Sequence, residues 1–78
     1  MLLIVIAVIV LKGKILKYFS YRGFGFIKSD ESQDELFFHS SNYPLMEKPR
    51  IGDYLEFDIE ESSKGMQAVN IKIILETE

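Results

Sequence analysis

Aromatic rings alternate with small and aliphatic residues in the stretch 22–28 of the chain, which reads Arg-Gly-Phe-Gly-Phe-Ile-Lys. Successive side chains of an extended strand point to opposite faces, so Phe24, Phe26 and Lys28 share one face and Gly25 and Ile27 share the other. A buried face would not normally hold a lysine. We therefore predict that these rings face solvent beside positive charge, an arrangement that suits the stacking of unpaired bases.

A second stretch, 36–39, repeats this pattern as Leu-Phe-Phe-His. The same alternation places Phe37 and His39 on one face and Leu36 and Phe38 on the other. Phe37 is expected to supply a third ring for stacking, and His39 could stack on a base or donate a hydrogen bond. A purely structural role for His39 stays open at this point.

Charge is distributed unevenly along the chain, although the formal net charge is only −3. The first 29 residues contain five basic residues and no acid, whereas all 12 acidic residues follow them. The basic part also holds five of the aromatic residues. Because the local field acts on a bound strand more than the total charge does, this segregation favours a nucleic-acid partner.

The composition excludes several classes of function. There is no cysteine and a single histidine, so neither a disulfide framework nor a thiolate or paired-histidine zinc site can form. No Ser-His-Asp set and no phosphate-binding glycine loop is present. We therefore expect no enzyme activity, no catalytic or metal-binding residue, no cofactor and no small-molecule substrate.

Residues 1–11 form an uninterrupted apolar run that we predict to be an extension of the domain at 12–75. The run is too short to cross a bilayer as a helix, and it has no basic residue before it, as a signal peptide would. Three interpretations are open. It could extend or add a strand, also across a subunit boundary; it could be a hydrophobic anchor or partner-binding tail; or its start could be mis-assigned.

The rest of the chain reads as five strands with no long helix. Alternating or aromatic-rich stretches predict strands over residues 12–20, 23–29, 35–40, 54–60 and 66–75, and the Pro-containing stretch 41–50 is a connection with room for one helical turn. At this length, closing the sheet protects its edges. We predict an all-β, five-stranded antiparallel Greek-key barrel of the oligonucleotide-binding (OB) type. Its predicted core residues are Leu36, Phe38, Leu55, Phe57, Ile59, Val69 and Ile71, with Val69, Ile71 and Ile73 on one face.

Four motifs in this order resemble the cold-shock domain. They are residues 22–27 and 36–39, the strand 13–20 (Gly-Lys-Ile-Leu-Lys-Tyr-Phe-Ser) and the closing stretch 64–71 (Lys-Gly-Met-Gln-Ala-Val-Asn-Ile). The family usually has a tryptophan in the first of these strands. A gapped alignment puts Tyr18 there, and this is the alignment we favour; the ungapped alternative puts Lys17 in that place. Ser40 replaces an aromatic residue, and Met66 replaces a proline.

The resemblance implies single-stranded RNA or DNA binding, an activity like that of an RNA chaperone, and effects on transcription or translation in the cytoplasm. The candidate binding residues are Lys17, Tyr18, Arg22, Phe24, Phe26, Lys28, Phe37 and His39. The alternative function is a protein-interaction or membrane-associated module that acts through residues 1–11. Self-association through that segment is a further expectation, whereas a membrane partner is not favoured.

Overall fold

The computed structural model describes residues 11–32, 34–63 and 65–75. The expectations for residues 1–10, and for Lys64 in the closing motif, lie outside the described residues. The elements are β1 (Leu11–Phe19), β2 (Phe24–Ser29), β3 (Glu35–His39), a 3-10 helix (Ser40–Asn42), β4 (Tyr54–Ser62) and β5 (Gly65–Ile73). Leu11, which the sequence assigned to the extension, begins β1 and pairs with Phe57.

The five strands close into a barrel in the order β1-β2-β3-β5-β4. The predicted closed five-stranded barrel is therefore confirmed. Strands β1, β2 and β3 form an antiparallel meander, and β4 pairs antiparallel with both β1 and β5. The closing contact between β3 and β5 is parallel, with Phe37 opposite Gln67 and Phe38 opposite Ala68.

The core lies inside the barrel, where the inward side chains of all five strands meet. Its largest fully buried side chains are Ile15, Ile27, Phe38 and Leu55. Every predicted core residue except Ile59 is buried. Ile59 is 36% exposed because β4 continues beyond Phe57, the last β4 residue that pairs with a described residue of β1.

An irregularity in β5 changes which of its residues face the core. Asn70 has a left-handed backbone with φ of 51°, and the register of β4 against β5 shifts between Glu56 and Asp58. An extra residue in one strand reverses the alternation beyond it. The predicted shared face of Val69 with Ile71 is therefore wrong: Ala68 joins the core cluster with Ile71, while Val69 is buried outside that cluster.

Tyr43 adds a core residue from the β3–β4 connection. Its ring lies 6.1 Å from that of Phe38, and its hydroxyl donates to Oδ2 of Asp53 at 2.9 Å. Asp53 also accepts the backbone N–H of Arg50 at 3.1 Å. The connection is thereby tied to the core through Phe38 and to the start of β4 through Asp53.

Candidate nucleic-acid interface

The outward side chains of β1, β2 and β3 form three rows across the sheet. From the β2–β3 loop to the β1–β2 turn, the rows are Lys14–Lys28–Glu35, Lys17–Phe26–Phe37 and Phe19–Phe24–His39. All nine are exposed or half-buried, whereas the alternate residues of β2 and β3 are buried. The predicted division of β2 and β3 into two faces is confirmed. Charge is therefore concentrated at one end of this surface and aromatic rings at the other.

Four phenylalanines on this surface form one continuous group, the aromatic cluster. The ring of Phe24 lies at its centre, 5.2 Å from Phe19, 6.1 Å from Phe26 and 5.4 Å from Phe37 between centroids. Phe26 and Phe37 complete the group at 6.1 Å. The rings are tilted or perpendicular to one another, as aromatic pairs prefer, and they remain partly accessible. The sequence-predicted rings Phe24, Phe26 and Phe37 are thus brought together.

Gly25 allows this surface to lie directly over the core. Its Cα faces Tyr18 of β1 on one side and Phe38 of β3 on the other. A Cβ atom at this position would lie 2.7 Å from Cε1 of Phe38 and 2.3 Å from the carbonyl oxygen of Lys17. The absence of a side chain at Gly25 therefore leaves space for the buried Phe38 ring on the inner side of β2.

Tyr18 does not lie on the outward surface, so its predicted place among the stacking rings is wrong. Its ring stacks on the buried ring of Phe38 at 6.0 Å with an interplanar angle of 13°. The cause is a bulge in β1, where the register against β2 shifts between Ile15 and Lys17. Regular alternation from the buried Ile15 would have turned Tyr18 outward; the additional residue, Leu16, reverses the faces.

Lys17 takes the outward position on β1 that the gapped alignment had given to Tyr18. It pairs with Phe26, and its Nζ atom lies 6.0 Å from the centroid of that ring. This distance is at the limit of a cation–π contact. Lys28 is exposed in the neighbouring row, and Arg22 is exposed in the β1–β2 turn, outside the three rows.

His39 ends the row that contains Phe24. Its Nδ1 accepts the backbone N–H of Ser41 at 3.1 Å and lies 2.9 Å from the Ser41 hydroxyl. A neutral imidazole that accepts at Nδ1 carries its proton on Nε2. Nδ1 of His39 therefore caps the 3-10 helix, which is the structural role that the sequence left open. The exposed ring keeps Nε2 as a donor, and its contact with a base stays a prediction.

Phe19 is the aromatic residue of this surface that the sequence interpretation left out of the site. It pairs with Phe24 across β1 and β2 and is 45% exposed. The ungapped alignment contained the signal, since it places Lys17 outward and Phe19 two residues further along the same face.

The described part of the chain offers no other obvious chemistry. In residues 11–32, 34–63 and 65–75, no group of three or more histidine, cysteine or acidic side chains could hold a metal ion. Within the same ranges, no helix is long and apolar enough to cross a membrane. The outward surface of β1–β3 is therefore the candidate site, and a closed barrel with such a surface defines a class of single-strand-binding domain.

Comparison with known proteins identifies the family. A family model described as the 'Cold-shock' DNA-binding domain matches residues 11–74. A cold shock-like protein from Thermotoga maritima is 35% identical over 66 residues, which cover 82% of this chain and 98% of that protein. The solved structure titled drosophila Unr CSD456 is similar with a TM-score of 0.74 and 30% identity over 85% of this chain. The match covers 27% of that longer chain.

The chain belongs to the cold-shock domain family, whose members bind single-stranded nucleic acid.

Proposed function

We propose that the protein binds single-stranded RNA or DNA by stacking bases on the aromatic cluster and His39, while Lys17 and Lys28 contact phosphates. The observation that carries this proposal is the contiguity of four partly accessible rings, with centroids 5.2–6.1 Å apart along the chain of contacts, on one outward surface. Contiguous rings let successive bases of one strand stack without a break, and each stacked base contributes about 1–3 kcal/mol.

The charge on the same surface supports this ligand. Within the three rows, three lysines stand against one carboxylate: Lys14, Lys17 and Lys28 against Glu35. Arg22 adds a cation at the turn, where it could meet a phosphate or stack its guanidinium on a base. Few phosphate contacts imply a shallow dependence on salt. Stacking is tolerant of sequence because every base has a π-face, so sequence preference should be modest.

Base stacking also sets which nucleic-acid structures bind. The bases of a duplex are paired and stacked on each other, so they cannot lie on these rings. Binding therefore favours open strands and opposes hairpins, which is the physical content of an RNA-chaperone role. Effects on transcription or translation and a cytoplasmic location are part of the same proposal.

The direct test removes two central rings. The variant with Phe24→Ala and Phe26→Ala should bind a fluorescent oligothymidylate or oligouridylate at least about ten-fold more weakly than the wild type, since two stacking platforms are lost. The matched control is Ile51→Ala with Leu75→Ala, which removes two exposed apolar side chains outside the surface. Equal affinity of the aromatic variant and the wild type, with both folded, would refute the proposal.

In the alternative function, residues 1–11 act as a protein-interaction or membrane-associated segment. The observation that keeps it open is the unbroken apolar sequence of residues 1–10 directly before Leu11, which pairs with Phe57. We expect deletion of residues 1–10 to leave base binding unchanged. If the deletion abolishes oligomers or vesicle binding, as measured by light scattering and flotation, the segment serves a partner. If neither changes, the alternative is wrong.

A further inference from the structure

We infer that Phe19 is an additional base-stacking platform, which extends the binding surface past Phe24 toward the β1–β2 turn. This inference rests on the proposed function and adds one nucleotide subsite to it. It assigns a binding role to a residue that the motifs alone do not mark, and it follows from the bulge in β1.

The bulge determines the position of Phe19. Because the register shifts at Leu16, the outward residues of β1 beyond it are Lys17, opposite Phe26, and Phe19, opposite Phe24. The row at Phe26 therefore has a lysine at its β1 end, and the row at Phe24 has a ring there. Along β1, the outward side chain is therefore a flexible cation at the first of these rows and an aromatic ring at the next. The two positions are two residues apart, which is about 7 Å in a strand.

The ring of Phe19 is available to a ligand. It is 45% exposed and is the most accessible ring of the cluster, since the other three rings are half-buried. One side contacts Phe24 at 5.2 Å with an interplanar angle of 44°. A single exposed phenylalanine is common on protein surfaces; what distinguishes this one is that its ring continues the cluster without a gap.

The backbone at Phe19 is held by the turn that follows it. Its carbonyl oxygen accepts the N–H groups of Arg22 at 3.1 Å and of Gly23 at 2.8 Å. Gly23 has φ of 70°, a conformation that glycine adopts without strain. A platform whose backbone is already fixed loses less entropy when a base stacks on it.

The first experiment separates stacking from packing with two substitutions. Phe19→Ala removes the ring, whereas Phe19→Leu keeps an apolar contact with Phe24 but offers no aromatic face. Affinity is measured by fluorescence anisotropy with oligothymidylates of about four to ten nucleotides, within the range of site sizes for such barrels. Thermal unfolding monitored by circular dichroism checks that both variants fold.

We expect both variants to bind the longest oligonucleotide about five- to 100-fold more weakly than the wild type, which is the loss of one stacked base. The deficit should shrink with the shortest oligonucleotides, which can stay on Phe24, Phe26 and Phe37. Wild-type affinity of Phe19→Leu would overturn the inference, because the residue would then act only by packing. A wild type that binds no oligonucleotide would instead refute the proposed function itself.

A second experiment reports from the site directly. The chain has no tryptophan, so Phe19→Trp introduces one fluorescent indole at the proposed platform. Its emission should be quenched by a long oligothymidylate and much less by one of about four nucleotides. Quenching that is absent at saturation with the long oligonucleotide would contradict stacking at residue 19.

Discussion

Gly25 offers the sharpest test of how the barrel supports its binding surface. Gly25→Ala would place a methyl group 2.3 Å from the carbonyl oxygen of Lys17 and 2.7 Å from Cε1 of Phe38, far inside the 3.4–4 Å of ordinary contact. Neither neighbour can retreat easily. The oxygen belongs to the backbone of β1, and the fully buried Phe38 ring is packed between Tyr18 and Tyr43.

The expected cost follows from that geometry. Overpacking a core costs typically about 1–3 kcal/mol, and two rigid obstacles place this substitution at or above the upper value. A domain of this size has a total stability of roughly 4–12 kcal/mol. A loss of about 3 kcal/mol should lower the midpoint of thermal unfolding by roughly 12–24 °C. Oligonucleotide affinity should also fall, since Phe24 and Phe26 flank the displaced backbone.

Gly52→Ala is the matched control for Gly25→Ala. Gly52 has φ of 90°, but nothing lies within 4 Å of the Cβ position, so only backbone strain opposes the substitution. It should leave oligonucleotide affinity unchanged when both proteins are measured well below their unfolding temperatures. A loss below about 1 kcal/mol for Gly25→Ala, with normal affinity, would refute the steric reasoning.

Two further predictions concern charge and pH. If Lys14, Lys17 and Lys28 each neutralise one phosphate, a plot of the logarithm of single-strand affinity against the logarithm of salt concentration should have a slope of about −2. Each lysine-to-glutamine substitution should reduce the steepness of this slope by about 0.7 in anisotropy titrations. A slope that none of the three substitutions changes would contradict their role. Burial, then the hydrogen bond to Asp53 and its negative charge, raise the pKa of Tyr43. The folded protein therefore holds this proton more tightly than the unfolded chain does, so stability is full below about pH 10 and falls as the pH rises above it. At neutral pH, Tyr43→Phe should be about 1.5–3 kcal/mol less stable than the wild type, because a hydrogen bond to a charged group is lost. In urea unfolding, the free energy of unfolding of this variant should fall less steeply above about pH 10 than that of the wild type. Equal slopes for the two proteins would refute the assignment.

The parts that the sequence predicted well are those where local alternation is uninterrupted. Phe24 to Lys28 alternates without a break against partners on both sides, so its two faces could be read directly. The same is true of Phe37 and His39. Strand positions followed from the same pattern and from the loop residues between the strands, and the closed barrel followed from the need to protect strand edges.

The errors arise where an extra residue interrupts a strand. Leu16 and Asn70 carry no glycine or proline signal, yet each lies at a register shift that reverses the faces beyond it. Bulges depend on how partner strands pair, which a single sequence does not display. Tyr18 was therefore predicted on the wrong face, and Phe19 was overlooked. The burial of Tyr43 was missed for a related reason, since only the closed barrel brings the β3–β4 connection against Phe38.

The most direct test of the central claim compares two ligands of equal charge. Wild-type affinity is measured for an oligothymidylate and for an abasic oligonucleotide of the same length, which has the same phosphates and no bases. If stacking on the aromatic cluster carries the binding, the abasic strand should bind at least about 100-fold more weakly, because several platforms of about 1–3 kcal/mol each are left without a base. Equal affinity for the two strands would show that phosphate contacts alone hold the ligand and would contradict the proposed role of the rings.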